Sequence, residues 1–215
     1  LCLSCKGCQT ECPSSVDITK MKAEFTQQYY DRYGIPRRAQ LIGRFSRYMK
    51  LASYAPWLYN ALVGTSALRR RLNPLLGFHP ERSMPLLHRT TLRQWAQRRA
   101  KHSAQRKVYV FCDEFTNYND VLLGQKTIKL LERLGYEVII PKHADSGRAY
   151  LSKGLVKEAR LLAIQNVEML KDLVSEDTPL LGIEPSALLT FRDEYPTLVP
   201  ESLQECQKYQ NTHGS

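Results

Sequence analysis

The stretch Val108-Tyr109-Val110-Phe111 is a run of β-branched and aromatic residues, and it predicts a buried β-strand. Segments of alternating helical and strand character follow it along the chain. They are a helix at 121–134, a strand at 137–141, a helix at 152–174, a strand at 179–184 and a helix from about Ser186. Because this alternation is typical of parallel sheets with right-handed crossovers, we predict a small Rossmann-like α/β domain in this part of the chain.

Parallel sheets bind ligands at the edge formed by the carboxyl ends of their strands. Three segments are predicted to meet there, at 112–117, 142–148 and 184–187. They contain the candidate site residues Cys112, Asp113, Glu114, Asn117, His143, Asp145, Ser146, Arg148 and Glu184. Lys153 follows on the same edge and is a further candidate. The turn at 146–148 precedes a helix, where backbone N–H groups favour an anion. This pattern predicts either a polar crevice or the ordinary turn and capping chemistry of βα junctions.

The part of the chain before Val108 is predicted to be helical. Apolar residues recur at helical spacing from Val16 to Tyr29, with Ser14 and Ser15 as the predicted caps and Gly34 and Pro36 as the stop. A second helix is predicted around 41–49, short helices and loops at 55–85, a basic helix at 86–101 and a linker at 101–107. We expect the aromatic residues of this part to form a core around the N-terminal loop, with a cofactor-binding set as the alternative. They are Tyr29, Tyr30, Tyr33, Tyr48, Tyr54, Trp57 and Tyr59.

The chain opens with a cysteine run, Cys2-Leu-Ser-Cys5-Lys-Gly-Cys8-Gln-Thr-Glu-Cys12-Pro13. Its spacing, C-x2-C-x2-C-x3-C-P, is that of bacterial ferredoxins that bind a [4Fe–4S] cluster. Iron takes soft thiolate ligands, and two-residue gaps let a tight loop wrap three of them around one cube. Cys2, Cys5, Cys8 and Cys12 are therefore the predicted ligands, with zinc binding or incidental thiols as the alternatives.

The fourth cysteine of such a run has a second interpretation. In two-cluster ferredoxins it binds the other cluster, so Cys12 would belong to a second cube with further ligands upstream of Leu1. Cys112 and Cys206 are too isolated in the sequence to complete that site. Since the chain starts directly on the motif, we expect a fragment of a longer protein that lacks part of its ligand set.

Positive charge dominates the chain. The 215 residues carry a formal net charge of +10, and the excess lies between Arg37 and Lys107. This pattern favours solvated helix faces, with docking on anionic lipid or an acidic partner domain as the alternative. Nucleic acid is not expected as a partner, because no basic and aromatic recognition motif is present. With no run of about 18 apolar residues and no secretory signal, we expect a cytoplasmic location or a peripheral one on the inner face of the membrane.

The cysteine run, continued through Pro13-Ser-Ser-Val-Asp17 and Lys22-Ala-Glu-Phe25, resembles the iron–sulfur half of FAD-linked oxidases. These include D-lactate dehydrogenases, glycolate oxidase iron–sulfur subunits and D-2-hydroxyglutarate dehydrogenase-like fusions. Residues 146–154 and 182–195 resemble their "CCG" domain, which heterodisulfide reductase subunits share. Where many relatives have Cys-Cys-Gly, this chain has Asp145-Ser146-Gly147, and where they have a cysteine it has Ala187. We therefore expect no second cluster in the α/β domain.

The resemblance implies a function for the whole protein. An FAD domain, expected N-terminal to this chain, would oxidise a D-2-hydroxy acid and pass electrons through [4Fe–4S] to a quinone, a cytochrome or another acceptor. The chain alone is expected to be inactive. Two alternatives stay open: a subunit of a heterodisulfide-reductase-like or glycerol-3-phosphate dehydrogenase complex, and a non-catalytic interaction scaffold stapled by the cluster.

The predicted fold class is therefore α+β or α/β, in three parts. A helical cluster-binding domain spans residues 1–106, a CCG-like α/β domain spans 107–200, and a C-terminal tail spans 201–215.

Overall fold

A computed structural model describes residues 7–100 and 103–202. Seven helices come first in the described chain. They are α1 Gly7–Glu11, α2 Ile18–Tyr33, α3 Arg37–Gly43, α4 Phe45–Ala52, α5 Pro56–Gly64, α6 Ser66–Leu75 and α7 Leu92–Arg98. An alternating set of strands and helices follows. It comprises β1 Arg106–Phe111, α8 Glu114–Tyr118, α9 Val121–Arg133, β2 Tyr136–Ile139, α10 Arg148–Leu151, α11 Val156–Leu170, β3 Leu180–Gly182, α12 Pro185–Asp193 and α13 Tyr195–Leu198. The described chain is thus rich in helix with one small sheet, which confirms the predicted fold class.

The three strands form a parallel sheet in the order β2-β1-β3. The strand predicted from Val108-Tyr-Val-Phe111 is the central one, so it needs apolar side chains on both faces. Val108 and Val110 point to the side covered by α7 and α9, whereas Phe111 points to the side covered by α10–α13. This alternation follows from the two-residue period of a strand, and it divides the apolar core into two layers.

Helices α2 and α3 pack directly on the second of these layers. Gly154 adopts a left-handed backbone with φ of 71°, and a Cβ atom there would lie 2.5 Å from the side chain of Thr26 on α2. A Cβ atom added at Gly43, on α3, would lie 2.6 Å from the side chain of Leu155. The backbone N–H of Lys157 donates to the side-chain oxygen of Gln27 at 3.2 Å. Close glycine contacts therefore join the helical segment to the α/β segment.

The helix boundaries differ from the sequence expectations in both parts of the chain. The helix predicted at 152–174 spans only Val156–Leu170, and three differences lie before β1. Asp17, and neither of the two preceding serines, caps α2 by accepting hydrogen bonds from the N–H groups of Thr19 and Lys20. The predicted helix around 41–49 breaks into α3 and α4 at Arg44. The predicted basic helix at 86–101 shortens to α7, because the amide of Asn60 bonds both backbone groups of Leu87 at 2.8 Å and holds that segment extended.

The prediction that the aromatic residues form a core is wrong for most of them. Tyr54 and Trp57 are 82% and 73% exposed, and Tyr29, Tyr33 and Tyr48 are exposed as well. Helical spacing reports that side chains share a face, but it does not report what covers that face. These residues instead leave apolar surface on the outside of the described helices.

Candidate functional site

Two of the four predicted cluster ligands, Cys2 and Cys5, lie outside the described residues. Cys8 lies in α1 and is exposed, and Cys12 follows α1 and is half-buried. The backbone N–H of Cys12 donates to the carbonyl of Cys8 at 3.1 Å, so one helical turn separates the two thiols. In the described part of the chain no group of three or more His, Cys, Asp or Glu side chains is arranged to hold a metal ion.

The surroundings of Cys12 favour a thiolate. Hydrogen bonds from the backbone N–H groups of Val16, Ser14 and Ser15 hold the pKa of the Cys12 thiol below its usual value, against a smaller opposing effect of burial. Soft iron ligands must be deprotonated to bind, and N–H donors to sulfur are a feature by which proteins tune such clusters. The donor chemistry of the described half of the run therefore fits an iron–sulfur group.

The polar residues at the carboxyl ends of the strands form a closed network. The ring of His143 lies 4.1 Å from that of Phe111 in a stacked arrangement. Its Nε2 atom accepts from the backbone N–H of Cys112 at 3.0 Å and from the guanidinium of Arg93 at 2.5 Å, which leaves Nδ1–H to donate to the carbonyl of Ala144 at 2.7 Å. Burial and the charge of Arg93 lower the pKa of His143 to about 3. His143 is therefore a neutral ring with both nitrogens occupied by the fold.

A second set of bonds fixes the loop that follows His143. Asn166, on α11 and fully buried, accepts from the N–H of Ala144 at 2.8 Å and donates to the carbonyl of Asp145 at 2.9 Å and to the Tyr195 hydroxyl at 2.8 Å. Tyr195 in turn donates to the carbonyl of Ser146 at 2.9 Å. These backbone groups of the turn thus have fixed partners, which hold the loop in one conformation.

Two carboxyl groups lie within this network. Glu114 accepts from the hydroxyl of Ser146 at 2.8 Å, and the hydroxyl of Ser46 on α4 donates to Asp145. Burial, and next the charge of Asp145, raise the pKa of Glu114 to about 7. These bonds tie the helical segment to the strand-end edge through Ser46 and place a titratable carboxyl group at their junction.

The remaining candidates are capping residues or core thiols. Asp113 caps α8, and Glu184 caps α12 by accepting from the N–H of Ala187 at 2.6 Å. Cys112 is buried, and burial raises the pKa of its thiol to about 12, so it stays protonated at neutral pH. Asn117 accepts from the N–H of Arg93 at 3.2 Å. For Asp113, Asn117 and Glu184 the structure supplies the turn and capping chemistry that the sequence left open, and Cys112 belongs to the core.

Arg148 and Lys153 differ from the others because they face a cavity of about 830 Å³. This cavity, called here the α3–α6 cavity, lies between helices α3–α6 with the 78–85 segment and the α/β residues around α10. Arg148 also donates to the buried carboxylate of Glu194 at 3.0 Å. The predicted crevice is thus divided into a closed network of hydrogen bonds and a neighbouring open cavity.

The sequence prediction missed four residues of this network, namely Arg93, Tyr195, Asn166 and Ser46. Arg93 and Tyr195 come from α7 and α13, far along the chain from the loop that they contact, so no local pattern indicates them. Asn166 did give a signal. It lies seven residues after Ala159 and four before Leu170, on the buried face of α11, and a polar residue at such a position predicts a buried hydrogen-bond network.

Comparisons with known proteins find sequence similarity to dehydrogenases. The chain is 29% identical over 211 residues to D-2-hydroxyglutarate dehydrogenase of Escherichia coli strain K12, which covers 93% of the chain and 21% of that protein. It is 30% identical over 220 residues to the protein of the same name from Pseudomonas putida, covering 96% of the chain and 21% of that protein. The chain is homologous to one region of these dehydrogenases. It spans about a fifth of their length.

A different kind of dehydrogenase component is similar over a shorter stretch. The C subunit of the anaerobic glycerol-3-phosphate dehydrogenase of Escherichia coli strain K12 is 30% identical over 150 residues, covering 68% of the chain and 38% of that protein. No protein-family model and no solved structure matches the chain. The resemblance to D-2-hydroxyglutarate dehydrogenases, predicted from the cysteine run and the α/β motifs, is confirmed at the level of sequence similarity.

Proposed function

We propose that the chain is the iron–sulfur electron-transfer region of an FAD-linked dehydrogenase that oxidises a D-2-hydroxy acid. The observation that supports this most directly is the C-x2-C-x2-C-x3-C-P run in a chain that aligns over 93% of its length with a D-2-hydroxyglutarate dehydrogenase. A similarity confined to about a fifth of that relative fits a region that serves a larger enzyme.

In this proposal Cys2, Cys5, Cys8 and Cys12 hold the cluster. A bound [4Fe–4S] group carries one electron at a time between a flavin and an acceptor. The contribution of the chain is to supply the thiolates and to set their environment. The N–H groups that lower the pKa of Cys12 also stabilise negative charge on its sulfur, which favours the reduced state of a cluster bound there.

The α/β segment is proposed to contact the FAD domain through its strand-end edge and to bind no cluster of its own. Asp145, Ser146 and Ala187 stand where related sequences are expected to have cysteines, and the first two are held by hydrogen bonds within the fold. The seven candidate residues proposed for this edge are Cys112, His143, Asp145, Ser146, Arg148, Lys153 and Glu184. Of these, Lys153 and the Glu194-paired Arg148 line the α3–α6 cavity, and the proposed contact is assigned to them.

The electron acceptor is proposed to be a quinone or a cytochrome, reached by peripheral association with a membrane. Helix α5 has no buried residue, and its Trp57 is 73% exposed. The exposed Arg70 and Arg71 follow on α6. Exposed aromatic residues next to basic ones are typical of surfaces that lie on anionic lipid. None of the helices within residues 7–100 and 103–202 is long and apolar enough to cross a bilayer.

A second candidate is a subunit of a glycerol-3-phosphate dehydrogenase complex. The 30% identity over 150 residues to a component of such an enzyme favours it. The two candidates predict the same electron carrier but different electron donors, so the substrate separates them.

The experiment uses the full-length protein, purified anaerobically. We expect a broad absorption shoulder near roughly 400 nm and about four irons for each cube that assembles. D-2-hydroxyglutarate should reduce the cluster, as followed by electron paramagnetic resonance, while glycerol 3-phosphate should not. Cys12→Ser should remove or alter the signal, and the control Cys206→Ser should leave it intact.

Three outcomes would count against the proposal. Stoichiometric zinc without iron would exclude the cluster. Reduction by glycerol 3-phosphate alone would favour the second candidate. A cluster that no substrate reduces, and that does not cycle reversibly in potentiometry, would indicate a structural staple in an interaction scaffold.

A further inference from the structure

The α3–α6 cavity combines an apolar wall with a cluster of positive charge. Its volume of about 830 Å³ lies within the range of small-molecule sites, ~300–1,000 Å³. Leu62, Leu72 and Leu76 line it, and each remains about two-fifths exposed, so the cavity presents apolar surface that is open to an occupant. Phe45 and Phe115 stack at 5.1 Å on its wall, where the helical segment meets the α/β segment.

The polar side of the cavity is cationic. Arg38, Arg69, Arg82 and Lys153 line it beside the Glu194-paired Arg148, and no Asp or Glu side chain of the described residues is part of the lining. Within residues 7–100 and 103–202 none of these four cations lies within ion-pair distance of a carboxylate, whereas the neighbouring Arg70 pairs with Glu81 at 3.3 Å, away from the cavity lining. Burial lowers the pKa of Lys153, and the charges of Arg38, Lys22 and Arg82 lower it further. Bringing like charges together costs free energy that a bound anion would offset.

The positively charged residues that line the cavity, called here its cationic rim, are held in place by the fold. Asn73 is 2% exposed, and its amide donates to the carbonyls of His79 at 2.9 Å and Arg82 at 2.8 Å, which fixes the segment that carries Arg82. The guanidinium of Arg38 stacks over Phe78 at 5.5 Å. Lys153 directly precedes Gly154, whose close contact with α2 fixes the turn. A rim built in this way is ordered before any ligand arrives, which lowers the entropy cost of binding.

We propose that the α3–α6 cavity binds a single-chain anionic amphiphile, with an oxyanion head against Arg38, Arg82 and Lys153 and an apolar chain against Leu62, Leu72 and Leu76. A small inorganic anion would leave the apolar wall open to water, and an uncharged apolar ligand would leave the cations unpaired. An occupant that carries both groups satisfies both walls. Neither Cys8 nor Cys12 lines the cavity, so the inference does not rest on the proposed cluster, although it shares Lys153 with the contact proposed for the FAD domain.

The test measures binding of dodecanoate, kept below its micellar concentration, to the full-length protein by titration calorimetry. Dodecanoate should bind with one-to-one stoichiometry. Acetate, which has only the head, and dodecyltrimethylammonium, which has the same chain and the opposite charge, should bind at least about tenfold more weakly. Binding of the protein to vesicles of an anionic phospholipid is measured in parallel, to detect attachment to a lipid surface.

Two variants locate the site. Lys153→Met keeps a long apolar side chain and removes the charge, so it should weaken dodecanoate binding by on the order of tenfold. Arg82→Met should weaken dodecanoate binding to the same extent, and it provides an independent test if Lys153→Met fails to fold. Circular dichroism checks that each variant is folded. Arg160→Met is the matched control, because Arg160 is exposed on α11 and does not line the cavity.

The inference is overturned by any of four results. The first is an unchanged dodecanoate affinity in Lys153→Met and Arg82→Met, and the second is an equal loss of affinity in those variants and in Arg160→Met. The third is acetate binding as tight as that of dodecanoate, and the fourth is binding to vesicles without binding of monomeric dodecanoate. Tighter binding of dodecyltrimethylammonium would likewise assign the cavity to a cation and contradict the proposed head-group contact.

Discussion

Replacing Asn166 by alanine tests whether the buried network holds the strand-end loop. The change removes three hydrogen bonds, of 2.8, 2.9 and 2.8 Å, to the Ala144 N–H, the Asp145 carbonyl and the Tyr195 hydroxyl. Each buried group left without a partner costs about 1–3 kcal/mol. Tyr195 keeps its bond to Ser146, and the loop at 144–145 is half-buried, so water replaces part of the loss. We therefore expect a loss of about 4 kcal/mol in the free energy of unfolding.

Urea denaturation of the full-length protein, followed by far-ultraviolet circular dichroism, measures this loss. With a slope of roughly 2 kcal/mol/M, the midpoint of the transition that includes this segment should fall by about 2 M. Gln165→Ala is the control, since Gln165 is the exposed neighbour on the same helix and its replacement should cost less than about 0.5 kcal/mol. If Asn166→Ala lowers the free energy of unfolding by less than about 1 kcal/mol, the network does not hold the loop.

Three further predictions concern backbone strain and titration. Gly154→Ala should lower the free energy of unfolding by roughly 2–4 kcal/mol, and Gly135→Ala should lower it by about 1 kcal/mol. Both positions have positive φ, but only at Gly154 would an added Cβ atom lie 2.5 Å from a neighbour, Thr26. Equal losses of stability in thermal denaturation would contradict this. The pKa of His143 is about 3 in the folded state and ordinarily near 6.5, so the unfolded state binds the proton first and stability is lost as pH falls below 6.5. Between pH 6.5 and pH 5 that loss should be about 2 kcal/mol, and His143→Gln should flatten the curve; an unchanged slope in urea titrations would argue against a neutral buried ring. The pKa of Glu114 is raised to about 7, so its stabilising contribution is present below its ordinary pKa of 4.5 and is lost as pH rises through 7. The stability of Glu114→Gln relative to the unchanged protein should therefore be greater at pH 8 than at pH 5. A smaller relative stability at pH 8 would refute the raised pKa of Glu114.

The sequence was informative wherever one short segment determines the outcome. Val108-Tyr-Val-Phe111 predicted a buried strand, which is the central strand of the sheet, because a strand covered on both faces must be apolar at every position. Gly34 predicted the end of α2, where its φ of 86° is accessible to glycine at little cost. The ligand chemistry of the cysteine run stays a prediction from its spacing, since two of its four cysteines lie outside the described residues.

Capping and helix length were less predictable, because several residues compete for each role. Ser14, Ser15 and Asp17 are all favourable N-cap residues, and the backbone geometry of the folded chain selected Asp17. The extended segment before α7 depends on Asn60, 27 residues away, so the local helical pattern there was misleading.

The tertiary structure alone decided how the polar residues at the strand ends are used. The sequence brought His143, Arg148 and Lys153 to one edge of the sheet, but their partners come from distant elements. Arg93 lies 50 residues before His143, and Glu194 lies 46 residues after Arg148. Only folding reveals that the first is enclosed by hydrogen bonds while the other two border a cavity. A local period fixes which side chains share a face, whereas burial, charge pairing and cavity shape depend on contacts between segments that the sequence does not place together.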